Sequence, residues 1–439
     1  AGCFYTVLDP DQPAVRLGKI LRVLGTDLVV AYDAQTGLLK EAGYQGEILY
    51  PDAALLDEVK CIGTSESRSR IDAERLGQIR AGASQGDILY GIFTSGSTGV
   101  PKAVVVSHKA VSDFIAHFVS DFGITGDDRI GNQAPFDFDV SVKDIYSSVL
   151  TGAELVLIPK KLFSTPPLLL DYLCEKHVTS LTWAVSALTM ISALRGFRYR
   201  IPSEVRRVMF SGEVMPARQL RIWQDALPDA LFVNLYGPTE ITCNCTYYRV
   251  ERTFEDGEKL PLGQAFEGRE VFLLDDEEKQ IHESGKTGEI CVSGESLSDG
   301  YFHNPEETEK HFLVGKDNIR YYKTGDLGYY GGDGELYFSG RRDFQIKHMG
   351  HRIELEEIER ALDQIGGIEK SCCVMDERKH QLVAFFFGEA QTDQIRREMK
   401  EKVPVYMVPN KLLRTERLVL TKNGKTDRDY YRRKLGAES

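Results

Sequence analysis

Thr94-Ser-Gly-Ser-Thr-Gly-Val-Pro-Lys102 gathers four hydroxyls, two glycines and a terminal lysine within nine residues. Glycine lets the backbone turn tightly, so N–H groups and hydroxyls can converge on anionic oxygens, and Lys102 adds a positive charge. The chemistry open to such a loop is the holding of a polyphosphate. The flanks sharpen the reading: Asp87-Ile-Leu-Tyr-Gly-Ile-Phe93 has the texture of a buried strand running in, and Ala103-Val-Val-Val106 of a second running out. A Walker A loop requires GxxxxGK[ST], whereas Gly96 is followed five residues later by Pro101, which disfavours a P-loop NTPase. A Gly/Ser-rich surface turn has the same composition, so the decision falls to the rest of the chain.

The elements that must position this loop follow a βαβ rhythm. Strand-like runs Asp27–Ala31, Ala153–Ile158, Ser180–Ala184, Arg207–Phe210 and Leu231–Leu235 alternate with amphipathic stretches at Pro13–Leu24, Lys109–Phe122, Val142–Leu150, Pro167–His177 and Pro216–Leu227. From about Glu251 the texture changes to short strands with Gly and Asp turns, such as Glu289–Ser293 and Gly334–Ser339, which predicts a distorted barrel or sandwich layer. After Gly340-Arg-Arg-Asp343 the pattern predicts a helix over Ile353–Ile365, strands near Ser371–Met375 and Gln381–Phe387, and a helix over Asp393–Val403. The fold class expected is therefore α/β, in two units. Residues 1–342 would form a large domain of layered α/β subdomains plus a distorted β-barrel, and 343–439 a small α+β domain.

With 439 residues, 42% of them hydrophobic, the chain can bury several cores. No run reaches the roughly 18 apolar residues of a membrane span, and AGCFYTVLDPDQ lacks the pattern of a signal peptide, so a cytoplasmic address and no membrane insertion are expected. A formal charge of −12 argues against broad nucleic-acid binding. Eight cysteines without a CxxC pair argue against zinc and for small buried residues, with Cys372 and Cys373 on opposite faces of a strand.

Further motifs follow the loop in order: Phe136-Asp-Phe-Asp-Val-Ser141, Asn234-Leu-Tyr-Gly-Pro-Thr-Glu240, Gly288-Glu-Ile-Cys-Val-Ser-Gly294, Tyr322-Lys-Thr-Gly-Asp326, Gly340-Arg-Arg-Asp343 with Gln345-Ile-Lys347, and Asn423-Gly-Lys425. In this register the chain resembles the adenylate-forming superfamily of acyl-CoA synthetases, peptide-synthetase adenylation domains and luciferases. Leu8-Asp-Pro10 resembles an early element of that family, whose members carry a further N-terminal segment before it. The branch resembled is amino-acid adenylation, because Asp139 matches the aspartate that pairs with the substrate α-ammonium; a loop-cap carboxylate is the bland reading. Val208–Pro216 and Arg341–Lys347 are similar to D-alanine:carrier-protein ligases, and the chain runs about 14 residues beyond Lys425 without a carrier motif of the LGGxS kind, as a stand-alone ligase would.

What the resemblance implies is ATP-dependent conversion of an amino acid to aminoacyl-AMP and pyrophosphate, then transfer to the phosphopantetheine thiol of a carrier protein, with ATP and Mg²⁺ as cofactors. Thr94, Ser95, Gly96, Ser97, Thr98, Gly99 and Lys102 would hold the β and γ phosphates. Glu240 would hold Mg²⁺, Thr239 would reach the α-phosphate, Tyr236 would stack on adenine, Asp326 would accept the ribose hydroxyls and Arg341 would support ribose or phosphate. Lys425 would bridge the substrate carboxylate and ribose or phosphate oxygens at the transition state. Asp343 would be the hinge that withdraws Lys425 and brings the Lys347–Arg352 loop to the thiol, with Gly350 admitting the pantetheine arm. His348 and His351 are expected to be exposed loop residues rather than bases, His108 to be structural, and Phe138 to gate the carboxylate.

By the same similarity the side-chain pocket comprises Val140, Lys143, Ala184, Met209, Ser211, Leu235, Cys243 and Asn244, with Thr182 or Trp183 replacing Ala184 if the register slips. Lys143 departs from the usual apolar residue. An acidic substrate side chain would pair it, and an outward turn beside Asp144 would solvate it; the outward turn is the expectation. Ser211 and Asn244 suit a small or polar amino acid. The alternatives left open are a D-alanine:carrier-protein ligase for cell-envelope modification, a CoA ligase for a non-amino carboxylate, and a nucleotide-binding scaffold, the last disfavoured by the joint presence of Lys102, Glu240, Asp326 and Lys425.

Overall fold

The computed structural model describes residues 2–51, 73–96, 98–315, 317–376, 378–420 and 426–437. Ser97 and Lys425, both assigned site roles above, lie outside the described residues, as does Cys61.

Five parallel strands form the centre of a seven-stranded sheet. Their spatial order is Glu154–Leu157, Arg129–Asn132, Ser180–Ala184, Arg207–Ser211 and Leu231–Tyr236, extended by the antiparallel Thr246–Arg249 and Gln264–Ala265. The chain starts at Arg129–Asn132, moves outward to Glu154–Leu157, then crosses back to Ser180–Ala184. The winding therefore reverses between Arg129–Asn132 and Ser180–Ala184, and the crevice at the carboxyl ends of strands at such a reversal is where open α/β sheets bind ligands. Helix Val140–Thr151 follows the first of these strands, so its opening residues lie over that crevice.

The loop hairpin pairs Ile88–Thr94 with Lys102–Ser107, with Gly300–Tyr301 adding a third strand. Thr94 and Lys102 are directly opposite in the register, so the loop between them closes on itself. The Ser107 hydroxyl accepts the Ala110 N–H and caps helix His108–Phe122, whose Phe114 and Phe118 enter a core shared with Val104, Leu235 and Val292. A second core gathers Trp183, Phe210 and Trp223 on the far side of the parallel strands.

A six-stranded antiparallel sheet follows, in which Arg320–Tyr330 pairs with Gly288–Gly294, Phe312–Val314 and Leu336–Arg341. Beyond Asp343 the hairpin Gln345–His348 with His351–Glu354 turns through Met349 and Gly350, both at positive φ (52° and 82°), as a type I′ turn requires. A three-stranded sheet then packs under helices Leu355–Asp363 and Thr392–Lys402, around Ile358, Leu362, Phe386 and Met399. Cys372 and Cys373 join different clusters, as opposite faces of one strand.

Two expectations are corrected here. The helix predicted from Ile353 begins at Leu355, because Ile353 and Glu354 are still pairing across the hairpin. His348 is buried, and His351 is half-buried with its ring stacked on Tyr406 at 3.7 Å, so neither is an exposed loop residue. Burial, and then the neighbouring His348, push the His351 imidazole down to about 4.

Removing the Ser107 cap should be measurable. Ser107→Ala is expected to cost about 1 kcal/mol in denaturant unfolding; a variant as stable as the parent would mean the cap does not hold this helix.

Candidate active site

The described residues of the Thr94–Lys102 loop are held tightly. A Cβ at Gly96 would fall 2.0 Å from the Val100 carbonyl oxygen, so only glycine permits this turn. The Gly99 N–H closes the turn on the Gly96 carbonyl at 2.8 Å, and Lys19 Nζ donates to the Gly99 carbonyl at 2.8 Å. Thr98 is exposed, Thr94 is half-buried and Ser95 is buried. Lys102 is ion-paired with Glu307, and its ammonium lies 5.4 Å from the Tyr301 ring centre.

Ser95 does something the sequence reading did not anticipate. Its hydroxyl donates to the Arg352 carbonyl at 2.8 Å and accepts the Glu354 N–H at 3.1 Å, tying the loop to the Gln345–Glu354 hairpin. On the same hairpin Lys347 and Arg352 are cross-strand partners and share a face. Arg352 Nη1 spans both oxygens of Glu240, at 2.9 and 2.8 Å, and Tyr301 donates to Glu240 Oε1 at 2.7 Å. Burial alone would raise the Glu240 carboxyl, but Arg352 and the Tyr301 hydrogen bond more than offset it and hold it below its ordinary value. Lys347 Nζ lies 5.8 Å from the centre of the Tyr236 ring. The hairpin thus covers both the proposed adenine platform and the proposed metal carboxylate.

Asp326 and its neighbours form a connected set. Tyr236 donates to Asp326 Oδ2 at 2.7 Å, Arg341 pairs with Asp326 Oδ1, and Arg341 also grips Asp343 with two bonds of 2.7 Å. Burial acts against the Asp343 carboxylate, yet Arg341 holds it below the usual range. The residue expected at the hinge is therefore anchored to Arg341.

Asp139 occupies the N-cap position of helix Val140–Thr151 but caps nothing with its side chain, which removes the loop-cap reading. Its side chain is buried. Burial raises its carboxyl, opposed by Thr239 and by the positive Lys143 and Lys347. The Cys243 thiol donates to the Asp139 backbone carbonyl at 3.1 Å. Ala184, Met209, Ser211 and Leu235 are buried on the parallel strands, and Val140 on the helix that follows one of them.

Lys143 corrects the expectation of an outward turn. It is 1% exposed and donates to Asn244 Oδ1 at 2.7 Å. Asp144 turns elsewhere, its Oδ2 accepting Asn132 Nδ2 at 3.0 Å, and burial pushes its carboxyl up to about 7. The acceptor that decided the matter lies 101 residues away in the chain, beyond the reach of local patterning.

The sequence reading took Lys347 and Arg352 only as the ends of the loop that approaches the thiol, and gave no role to Tyr301, Glu307, Lys19 or Glu213, whose Oε1 accepts the Gly350 N–H at 2.7 Å. Strand alternation about Met349-Gly350 would have put Lys347 and Arg352 on one face. Nothing in the sequence announces the others. Among the described residues no group of three His, Cys, Asp or Glu side chains could hold a metal by itself. No helix there is long and apolar enough to cross a membrane.

Two clefts meet at the loop. One is bounded by Thr94, Ser95, Phe138, Thr239, His351 and Tyr406; the other by Lys102, Glu307, Gly325, Arg341, Arg352 and Glu354. Phe138 faces His351 with ring centres 5.8 Å apart.

Comparison with known proteins agrees with this geometry. Residues 1–302 match the family described as AMP-binding enzyme. The chain is 30% identical over 438 residues to tyrocidine synthase 1 of Brevibacillus parabrevis, covering 98% of this chain and 38% of that protein. It is 32% identical over 449 residues to the D-alanine--D-alanyl carrier protein ligase of Bacillus velezensis, covering 98% of this chain and 84% of that one. Among solved structures, IdnL1 superposes with a TM-score of 0.75 at 27% identity, over 95% of this chain and 83% of its own. The Vibrio cholerae adenylation domain AlmE, solved with glycyl-adenosine-5'-phosphate, shares the fold with a TM-score of 0.84 at 24% identity, over 99% of this chain and 84% of its own.

The buried pair between Glu240 and Arg352 makes a stability prediction. Arg352→Gln strands a buried carboxylate and is expected to cost roughly 3–5 kcal/mol in denaturant unfolding, while adding Glu240→Gln restores most of it. Losses that simply add in the double variant would contradict the pairing.

Proposed function

Since the chain belongs to the AMP-binding enzyme family, matched over residues 1–302, we propose that it adenylates an amino acid with ATP and passes the aminoacyl group to a carrier-protein thiol. The observation that carries this reading is the buried Asp139 held against the segment that follows Thr239-Glu240, the Cys243 thiol donating to the Asp139 backbone carbonyl at 3.1 Å. It sets a carboxylate suited to an α-ammonium beside the Thr239-Glu240 turn suited to nucleotide phosphate, so the two substrates would meet at one point. A non-amino carboxylate would leave Asp139 buried and unpaired, which disfavours the CoA-ligase alternative. A D-alanine:carrier-protein ligase is the second reading, favoured by the 84% coverage of the Bacillus velezensis protein that bears that name.

In the first half-reaction the substrate carboxylate attacks the α-phosphorus of ATP and the bond to pyrophosphate breaks. The protein's work is alignment and charge neutralisation. Asp139 fixes the ammonium, Thr239 and the Thr94–Lys102 loop hold the phosphates, and Tyr236, Asp326 and Arg341 seat the nucleoside. Lys425 supplies positive charge to the oxygens that gain it. Glu240 offers one buried carboxylate, and one carboxylate plus substrate phosphates is the donor set Mg²⁺ accepts. That ion, when bound, would screen the charge on the leaving pyrophosphate.

The docked hairpin fits the second half-reaction better than the first. With Lys347 over Tyr236 and Arg352 on Glu240, ATP and the hairpin compete for the same groups. Rotation at Asp343, between the 1–342 and 343–439 units, would release the hairpin for adenylation and return it for transfer. A thiol then attacks the acyl carbon, the acyl–phosphate bond breaks and AMP leaves.

Amino-acid-dependent ATP/pyrophosphate exchange across glycine and the L- and D-amino acids tests the reading. Exchange is expected with one amino acid or one chemical class, falling on the order of 10²-fold or more in Asp139→Ala and Lys425→Ala. Absence of exchange with every amino acid would overturn it.

A further inference from the structure

Lys102, the one cation of the Thr94–Lys102 loop, already has an anion. Its ammonium is ion-paired with the Glu307 carboxylate, and the two side chains are only 10% and 16% exposed, so water and salt screen this pair less than a surface one. The partnership is built into one sheet. Lys102 opens the strand Lys102–Ser107, whose Val104 and Val105 pair with Tyr301 and Gly300. The Phe302 N–H then bonds the Ala103 carbonyl at 2.8 Å, and helix Pro305–His311 follows, Asn304 Oδ1 accepting the Glu307 N–H at 3.2 Å. Lys102 and Glu307 are therefore both fixed to elements that precede Asp343, and their pair does not need the Gln345–Glu354 hairpin.

Glu307 has reserve partners of its own. Lys310 Nζ donates to its other oxygen, Oε1, at 3.4 Å, and His311 Nε2 lies 3.6 Å from Oε2. Breaking a shielded ion pair is costly chiefly because it strands a charge. Here neither side is stranded. If Lys102 turns to an incoming anion, Lys310 remains on Glu307; when the anion leaves, Glu307 is in place to take Lys102 back. Both residues line the cleft that Arg341 and Arg352 also bound, so an anion held there by Lys102 has a fixed carboxylate beside it. That carboxylate offers a phosphate nothing directly: it repels the anion and competes for its lysine.

A polyphosphate held for attack must also be let go once the bond to it has broken. We propose that Glu307 is the positioning residue that recovers Lys102 from the departing pyrophosphate, the ammonium alternating between phosphate during adenylation and Glu307 before and after it. This inference rests on the adenylation reading above and adds a release step to it. No covalent bond changes, since one ion pair is exchanged for another. Tyr301 joins this pair to the one between Arg352 and Glu240, its ring centre 5.4 Å from the Lys102 ammonium and its hydroxyl donating to Glu240. Two charged groups that magnesium pyrophosphate would engage, Lys102 and Glu240, are thus both held by protein partners here.

The experiment measures magnesium pyrophosphate binding by titration calorimetry in the native chain, Glu307→Gln, Lys102→Met and the double variant, beside amino-acid-dependent ATP/pyrophosphate exchange. Glu307→Gln keeps the shape and removes the charge. It is expected to lower the Kd for pyrophosphate about 10-fold, and the KM for pyrophosphate in exchange by a similar factor, with the KM for the amino acid unchanged. In the Lys102→Met background most of that gain is expected to vanish. A gain that persists in full without Lys102 overturns the proposal, because Glu307 would then not be acting through the lysine. Unchanged or weaker pyrophosphate binding in Glu307→Gln overturns it as well, and leaves adenylation in place wherever the native chain exchanges. Absence of exchange by the native chain with every amino acid overturns the adenylation reading and the release role together. Should Glu307→Gln fail to fold, Glu307→Asp, which draws the carboxylate back by one methylene, is expected to move the pyrophosphate Kd in the same direction, and an unmoved Kd overturns the proposal.

Discussion

A single buried carboxylate organises the centre of this protein. Glu240 sits at the end of the Leu231–Tyr236 strand with its side chain almost sealed from solvent, and a charge in that position must be paired. Here Arg352 pairs it, reaching across from the hairpin beyond Asp343. A carboxylate saturated by a guanidinium and a tyrosine hydroxyl has little left for a cation and phosphates. On the proposed function, the hairpin and the nucleotide would thus be alternative partners for one group. Other contacts reinforce the choice, since Ser95 bonds the hairpin backbone, Glu213 holds the Gly350 N–H and Lys347 lies over Tyr236. In the proposed cycle, motion of the small unit would be coupled to chemistry through charge, because neither partner could leave Glu240 unless another arrived.

The scaffold explains why these groups meet. Parallel strands deliver Ala184, Ser211 and Tyr236 at one edge of the sheet, and the reversal of winding opens a crevice beside Arg129–Asn132. Helix Val140–Thr151 projects Asp139 and Lys143 into the same region. The loop hairpin approaches from a separate three-stranded sheet, and the antiparallel sheet contributes Asp326 and Arg341 as register partners. No single element carries the site, so its geometry depends on the packing between three sheets.

Much of this was legible in the sequence because motifs encode local backbone. The strand runs at Ser180–Ala184 and Leu231–Leu235 and the helix at Lys109–Phe122 lie within a residue or two of the elements found, since apolar periodicity and caps act over short range. What local pattern could not supply was partnership across distance. Lys143 beside Asp144 looks like a solvated pair, yet Asn244 and burial draw the lysine inward while Asn132 takes the aspartate. The helix start at Leu355 rather than Ile353 reflects pairing with the far arm of the hairpin, again a contact that periodicity does not encode. Arg352 was visible as a loop residue, but its partner Glu240 lies 112 positions earlier. The roles of Ser97 and Lys425 rest on motif resemblance alone.

The most direct test of the central claim is amide hydrogen exchange over residues 345–354, with and without Mg²⁺ and a non-hydrolysable ATP analogue. If hairpin and nucleotide compete for Glu240 and Tyr236, the Gly350 and Glu354 amides, bonded to Glu213 and Ser95 in the docked state, lose protection when the nucleotide binds. Protection that is unchanged or increased with nucleotide bound would show that both occupy the site together, and the competition between them would not exist.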